Sequence, residues 1–276
     1  ATLQAAEAFG LKNEGAIAPG YSANIVLLDD LDSVAVSTVY HLGKEVVSEG
    51  RLAEFTRPAV STALKERVLN SFNLAPLCEK DFHITASGNR KCRVINLVKD
   101  QLITEEALLD VDFGKNNGID TEKDILKLAV IERHKNTGHI GLGFIHGIGL
   151  KEGAIAASVS HDSHNLIVIG TSEREMAFAA NRVRELGGGM AAVKNGEVLS
   201  EMPLPYAGLM TDASVSEVAR QNEAVRKSVH TLGVPEDIEP FMTMAFVSLP
   251  VIPKIKMTTH GLFSSDKWAI VPLFAD

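Results

Sequence analysis

Ala154-Ile-Ala-Ala-Ser-Val-Ser-His-Asp-Ser-His-Asn-Leu-Ile-Val-Ile169 sets a polar hexapeptide between two apolar runs. The runs, 154–159 and 166–169, are nearly continuous in Ala, Ile, Leu and Val and are bounded by turn residues. This pattern is typical of strands that are buried on both faces. We therefore expect two buried strands, with the hexapeptide at the mouth of the sheet that they form.

The surrounding sequence alternates between further strands and two clear helices. Apolar runs predict strands at 91–98, 103–107 and 124–130, and shorter ones around Phe246, Ile255 and Ala269. A hairpin is expected at Asn195-Gly196, because this dipeptide supplies the positive φ of a type I′ turn. The helices are expected over 173–186, with Ser172 as N-cap, and over 212–232, with Asp212 as N-cap. This larger domain is thus α/β or α+β.

The N-terminal part of the chain has a different pattern. Residues 1–10 read as the end of a helix, 11–60 as a small β unit and 61–76 as a connector to the larger domain, 77–276. So short a β unit does not bury two faces by itself, and we expect it to complete a sheet built elsewhere. A helix that begins at residue one, with no cap, also predicts further protein upstream. The expected fold is a small β-sandwich-type segment followed by a larger mixed α/β domain.

Composition narrows the classes of partner. The 276 residues include 35 Asp and Glu against 27 Lys and Arg, a net charge of −8, and no run of basic residues. Nucleic-acid binding needs a concentrated basic face, so it is not expected. No apolar stretch approaches the roughly 18 residues of a membrane helix, so no membrane association is expected either. Cys78 and Cys92 are interpreted as buried, reduced thiols of a cytoplasmic protein.

The hexapeptide 160–165 carries the strongest signal for chemistry. Imidazole titrates near neutral pH, and Asp162 can orient a ring or accept a proton from His161 or His164. The alternative is a solvated turn whose polar side chains satisfy backbone groups. Metal ligation by the two histidines lacks an obvious third ligand, and no Gly-x-Ser-x-Gly pattern surrounds Ser163. A functional role and a structural turn both remain open.

A second polar segment begins at Glu132-Arg-His134 and continues into glycine-rich sequence up to Gly149. The glycines predict close backbone approach or tight turns. Their spacing is not that of a dinucleotide-binding or P-loop motif, so nucleotide-phosphate binding is not supported. The Glu-Arg-His group is interpreted either as a structural ion pair or as a contact to substrate or to a domain interface.

Two sets of motifs resemble a known family. Residues 1–11 and 15–29 resemble the segment that leaves the catalytic barrel of amidohydrolase-superfamily enzymes, although Asn24 replaces the usual Asp. Four later segments resemble the C-terminal region of bacterial adenine deaminases. They are Ile131-Glu-Arg-His-Lys-Asn-Thr-Gly138, Gly149-Leu-Lys-Glu-Gly-Ala-Ile-Ala156, Ser158-Val-Ser-His-Asp-Ser-His-Asn-Leu166 and Leu204-Pro-Tyr-Ala-Gly-Leu-Met210.

The resemblance implies a cytoplasmic, homo-oligomeric hydrolase that converts adenine to hypoxanthine and ammonia. Such enzymes use a divalent metal pair, manganese or iron, in a (β/α)₈ barrel. None of the barrel ligands can be matched here, so we expect no metal ligands in this chain. The pocket-lining candidates are His161, Asp162 and His164 for catalysis, with Ser163, Asn165 and Glu132 for substrate contact.

Three hypotheses for the function of this chain remain. The first is the C-terminal part of an adenine deaminase, inactive alone. The second is a stand-alone structural or oligomerisation module without catalytic activity. The third is an independent hydrolase that uses His161, Asp162 and His164.

Overall fold

The computed structural model of the chain describes residues 2–56, 58–69 and 71–275. The chain divides into two compact units, Ala1–Val60 and Ser61–Asp276. None of the helices within the described ranges is long and apolar enough to cross a membrane.

The first unit is a short helix followed by a four-stranded antiparallel sheet. The helix is α1 (Leu3–Ala8), where the sequence predicted the end of a helix; Ala1 lies outside the described residues. The strands follow one another in sheet order: β1 (Ile25–Asp30), β2 (Ala35–His41), β3 (Lys44–Ser48) and β4 (Arg51–Leu52). Each strand therefore pairs with its neighbour in sequence, which is the simplest topology that turn signals can specify.

The second unit is built on an eight-stranded mixed sheet. Its strands are β5 (Asn89–Leu97), β6 (Thr104–Asp112), β7 (Leu126–Ile131), β8 (Ile140–His146), β9 (Ala154–Ala157), β10 (Leu166–Gly170), β11 (Gly189–Lys194) and β12 (Glu197–Pro203). Their order in the sheet is β12-β11-β9-β10-β7-β8-β5-β6. All neighbouring pairs are antiparallel except β5 and β8, which are parallel. The expected mixed α/β fold is confirmed.

Helices and a small sheet cover both faces of the large sheet. The remaining elements are α2 (Thr62–Leu69), α3 (Glu173–Glu185), α4 (Val215–Thr231), α5 (Pro240–Val247), β13 (Ile255–Thr258), β14 (Gly261–Ser264) and β15 (Ala269–Ile270). Alternate residues of β7 point to opposite sides: Leu128 and Val130 join the core shared with α4, α5 and the small sheet, while Ala129 and Ile131 join the core shared with α3. Burial on both faces explains why the central strands are apolar without alternation.

Several local predictions are confirmed in detail. Ser172 caps α3, its side chain accepting a hydrogen bond from the backbone N–H of Glu175 at 3.2 Å. Asn195 and Gly196 have φ values of 55° and 75° and connect β11 to β12 as a hairpin. These features depend on neighbouring residues only, which is why the sequence is sufficient to predict them.

Other predictions are wrong. Phe246 lies in α5, not in a strand; Pro240 begins that helix, and its residues are too uniformly apolar to show a helical period. Helix α4 is capped by Ser214 instead of Asp212, whose carboxylate accepts a hydrogen bond from the Tyr206 hydroxyl at 2.7 Å. Cys92 is buried as expected, but Cys78 is exposed.

The glycine-rich segment after Gly138 forms strand β8 over most of its length, where tight turns were one expectation. Close backbone approach, the other expectation, is confirmed at Gly141, where a Cβ atom would lie 1.8 Å from the carbonyl oxygen of Thr258. Turns occur only beyond the strand, at Gly147 and Gly149, whose φ values are 98° and 82°. The glycines therefore let the β13–β14 hairpin pack directly on β8.

Candidate functional site

Two polar loops lie at the same end of the large sheet. Strands β7 and β10 are antiparallel neighbours, and Ile131, the last residue of β7, pairs with Leu166, the first residue of β10. The chain that leaves β7 and the chain that enters β10 therefore meet at one sheet end. We call residues 132–139 the Glu132 loop and residues 160–165 the His161 loop.

The Glu132 loop is organised by its own carboxylate. The Glu132 oxygens accept hydrogen bonds from the backbone N–H groups of His134 at 2.5 Å, Lys135 at 2.9 Å and Thr137 at 3.0 Å, and from the Thr137 hydroxyl at 3.0 Å. Burial raises the pKa of Glu132, but these hydrogen bonds outweigh it and lower the pKa to about 2. Both oxygens are occupied within the loop, and the candidate substrate contact of Glu132 stays a prediction.

Arg133 connects the two loops. Its side chain is only 1% exposed, and Nε donates to the carbonyl oxygen of His164 at 2.6 Å while Nη2 donates to that of Ala207 at 3.0 Å. The guanidinium lies 4.8 Å from the centre of the Phe72 ring, in cation–π geometry. A Cβ atom at Gly208 would come within 2.8 Å of the guanidinium, so only glycine leaves room for it.

The charge of Arg133 is buried without a carboxylate partner among the described residues. Burial lowers its pKa to about 10, so the side chain remains a cation at neutral pH. The sequence allows two interpretations of the Glu-Arg-His group: a structural ion pair, or a contact to substrate or to a domain interface. In the structure, Arg133 donates to carbonyl groups of two distant segments, which no local pattern reveals.

The backbone of the His161 loop is fixed at both ends. The N–H of His164 donates to the carbonyl of Ser160 at 2.8 Å, and Nε2 of His134 donates to the carbonyl of Ser163 at 2.9 Å. The buried hydroxyls of Ser160 and Ser248 share a hydrogen bond of 2.7 Å. The loop is therefore a built turn, attached to the Glu132 loop on one side and to the segment after α5 on the other.

The side chains of this loop differ in exposure. His161, Asp162 and Ser163 are exposed, and the His161 ring stacks on Phe246 with 5.1 Å between the ring centres. His164 is partly buried and Asn165 is buried. The structure thus brings the predicted residues of the hexapeptide into one loop, with three at its surface and two beneath.

Two polar atoms of the His161 loop are buried without a hydrogen-bond partner: Nδ1 of His164 and Oδ1 of Asn165. Such atoms are rare in folded proteins, because each retains the desolvation cost with no compensating bond. Burial first, and the charge of Arg133 next, lower the pKa of His164, so its ring is neutral at neutral pH. A neutral imidazole can donate or accept a hydrogen bond, and an amide oxygen can accept one.

The predicted site residues do not form a metal centre. Within the described ranges, no group of three or more His, Cys, Asp or Glu side chains is arranged to hold a metal ion. The carboxylate of Glu132 is committed to its own loop, as described above, and the Ser160 hydroxyl is bonded to Ser248.

The architecture and the loops define a mixed α/β domain that carries a polar, partly unsatisfied loop at one end of its sheet. A family model described as the adenine deaminase C-terminal domain matches residues 101–269, a range that includes both loops. The chain therefore belongs to the adenine deaminase C-terminal domain family.

Curated relatives agree with this assignment. The chain is 42% identical over 274 residues to the adenine deaminase of Bacillus velezensis and 43% identical over 274 residues to adenine deaminase 2 of Carboxydothermus hydrogenoformans. It is 40% identical over 273 residues to the adenine deaminase of Bacillus subtilis. Each match covers 99% of this chain and 47% of the relative. The chain thus spans about half the length of the curated relatives it matches and corresponds to their C-terminal part.

Proposed function

We propose that this chain is the C-terminal part of an enzyme that hydrolyses adenine to hypoxanthine and ammonia. Membership of the family and the names of the relatives support the proposal. In this reaction water adds to the ring carbon that carries the amino group. The bond between that carbon and the amino nitrogen then breaks, so that ammonia leaves and the ring retains the oxygen.

We further propose that the His161 loop lies over the purine pocket of the full-length enzyme. The observation that carries this proposal is the pair of buried, unpartnered atoms, Nδ1 of His164 and Oδ1 of Asn165. A purine edge presents ring-nitrogen acceptors and N–H donors side by side, and these are the groups that a neutral imidazole and an amide oxygen can satisfy. His161, Asp162 and His164 are the candidates for proton transfer.

Two further candidates would act in substrate contact beside this loop. Ser163 is exposed on the same loop, and Asn165 offers its buried amide oxygen. Glu132 contributes by fixing the neighbouring loop, through which His134 holds the carbonyl of Ser163. A substrate contact by Glu132 itself would require one of its oxygens to exchange a backbone hydrogen bond for the ligand.

We place the metal pair, manganese or iron, outside this chain. The half of the relatives' length that this chain does not match leaves room for a separate catalytic domain. By this assignment residues 1–10 end its last barrel helix, 11–60 complete the β-sandwich, 61–76 connect, and 77–276 form the C-terminal domain. We also propose that the enzyme is cytoplasmic, acts in purine metabolism and is a homo-oligomer; these proposals depend on the resemblance alone.

Ammonia release from adenine tests this function. The purified 276-residue chain and the full-length enzyme are assayed side by side with manganese added. We expect turnover by the full-length enzyme only. Turnover by the chain alone would support an independent hydrolase built on the His161 loop. Absence of turnover by the full-length enzyme, with the protein folded and metal-loaded, would favour a module without catalytic activity.

A further inference from the structure

Lys256 is a buried cation of strand β13, and its side chain is only 1% exposed. Its Nζ donates one hydrogen bond, to the carbonyl oxygen of Leu102 at 2.8 Å. Among the described residues it has no other hydrogen-bond acceptor and no carboxylate within ion-pair distance. An ammonium group carries three N–H donors, so two of them are unused.

Lys127 shows how this fold satisfies a buried ammonium when the role is structural. Its side chain is fully buried, like that of Lys256. It forms an ion pair with Glu173 at 2.5 Å, donates to the carbonyl of Phe82 at 3.1 Å, and contacts the side-chain oxygen of Asn117. Lys127 therefore has a counter-ion and three acceptors, whereas Lys256 has one neutral acceptor.

A cavity of about 70 Å³ adjoins Lys256. Its lining is mainly apolar and includes Leu97, Leu102, Phe246 and Val247. The cavity shares residues with a larger cleft of about 550 Å³, which lies between the 97–102 segment and the residues before and within α5. The smaller cavity exceeds the space that one water molecule needs, and the cleft has the size of small-molecule sites.

We propose that Lys256 is the anion-binding residue at the bottom of a binding site for a small organic carboxylate. The carboxylate group occupies the cavity beside the ammonium, and a short apolar body extends along the apolar walls into the cleft. A buried charge without a counter-ion is unfavourable, and a carboxylate supplies both the opposite charge and the missing acceptors. The apolar lining favours an organic acid over an inorganic anion.

The other charged groups around Lys256 leave this position open to an external anion. Glu239 lines both the cavity and the cleft but is exposed to solvent. An ion pair between Lys99 and Asp237 lies at the cleft. The strands packed against β13 carry the remaining titratable groups. They are Glu105, Glu106, Asp110 and Asp112 of β6, which are exposed, Lys127 of β7, which is paired with Glu173, and His146 of β8, which is bonded to Asn96.

The site predicts a particular dependence on pH. Burial lowers the pKa of Lys256 to about 8, so the side chain is mostly charged at pH 7 and mostly neutral at pH 9.5. If only the charged form binds the anion, the affinity falls by about 30-fold between these two values, in proportion to the charged fraction. An anion bound at a metal or on exposed lysines would not follow this particular titration.

Equilibrium dialysis of radiolabelled butyrate against the full-length, metal-loaded enzyme tests the proposal at constant ionic strength. We expect a saturable site at pH 7 that is lost in Lys256→Met and retained in Lys254→Met, which removes an equal charge from an exposed neighbour. In the unaltered enzyme the same site should weaken by about 30-fold at pH 9.5.

Two results would overturn the proposal. One is a butyrate site in a folded Lys256→Met variant with unchanged affinity; the other is no saturable site in the unaltered enzyme at pH 7. If Lys256→Met does not fold, the comparison of pH 7 with pH 9.5 in the unaltered enzyme decides alone, and a constant affinity would reject the site. Deamination of adenine is not the readout, so this test is independent of the proposed function.

Discussion

The Glu132 loop and the His161 loop lie at the same end of one sheet, and both are rich in polar residues, yet they use their polar atoms differently. The two oxygens of the Glu132 carboxylate accept four hydrogen bonds from groups of the same loop. The His161 loop leaves Nδ1 of His164 and Oδ1 of Asn165 buried and unpartnered. The Glu132 carboxylate has its hydrogen-bond partners within its own loop. The two unpartnered atoms of the His161 loop, in contrast, remain able to bond a group from outside the loop. Hydrogen-bond satisfaction, more than polarity, separates the two roles.

We expect the largest effect on stability from replacing Arg133, because this side chain joins both loops. We expect Arg133→Met to lower the free energy of unfolding by about 3 kcal/mol, since the carbonyls of His164 and Ala207 lose a buried charged donor. Thermal or denaturant unfolding measures this. The matched control, Arg174→Met, removes an exposed arginine and should change stability by less than about 0.5 kcal/mol. Equal effects of the two variants would show that Arg133 does not connect the loops.

Glu132→Gln tests the hydrogen bonds within the Glu132 loop. The variant loses a charged acceptor for three backbone N–H groups, and we expect about 2 kcal/mol of destabilisation at pH 7. The folded-state pKa of about 2 lies below the ordinary glutamate pKa of 4.5, so this contribution is present above pH 4.5 and is lost as pH falls towards 2. The difference between the two proteins should therefore shrink on acidification. The exposed Glu197→Gln serves as control, and a difference that is constant with pH would contradict the assignment.

Asn165→Leu tests the His161 loop, and we expect its effect on stability to have the opposite sign. Replacing a buried amide that lacks a partner for its oxygen with an apolar side chain of similar size should leave stability unchanged or raise it by about 1 kcal/mol. In the full-length enzyme the same change should reduce kcat/KM for adenine. Unfolding measurements beside steady-state kinetics separate the two effects. A loss of stability with unaltered kinetics would make Asn165 a structural residue.

Thr137→Val should have the smallest effect on stability of these variants. It removes one hydroxyl hydrogen bond to Glu132 while keeping the backbone bond, so we expect a loss of about 0.5–1 kcal/mol. Denaturant unfolding again gives the value. In combination with Glu132→Gln the effect should fall below the sum of the single changes, because both act on one network. Strict additivity would show that the Thr137 hydroxyl and the Glu132 carboxylate contribute independently, without a shared network.

Much of the fold follows from local sequence signals. The two apolar runs around the hexapeptide become β9 and β10, Ser172 caps its helix, and Asn195-Gly196 forms the predicted turn. Each of these depends on side chains within a few residues. The assignment of Asp212 as a cap failed because Ser214, two residues later, offers the same kind of side chain, and nothing local distinguishes them.

The site was predictable as a segment but not as a geometry. The hexapeptide stands out because six polar residues interrupt buried strands, and the structure does gather them in one loop. The connection made by Arg133 joins carbonyls that are 31 and 74 residues away in sequence, and the unpartnered atoms of His164 and Asn165 depend on packing. Likewise, β8 was not expected because the hairpin that explains Gly141 lies more than a hundred residues later.

We propose that the His161 loop contacts adenine in the full-length enzyme. Steady-state deamination kinetics of His164→Ala, with the exposed His260→Ala as control, test this contact. We predict that His164→Ala lowers kcat/KM by about tenfold or more, with a folded protein and full metal content, while the control is unchanged. Unaltered kinetics in a folded, metal-loaded His164→Ala enzyme would contradict the claim and leave the loop a structural turn.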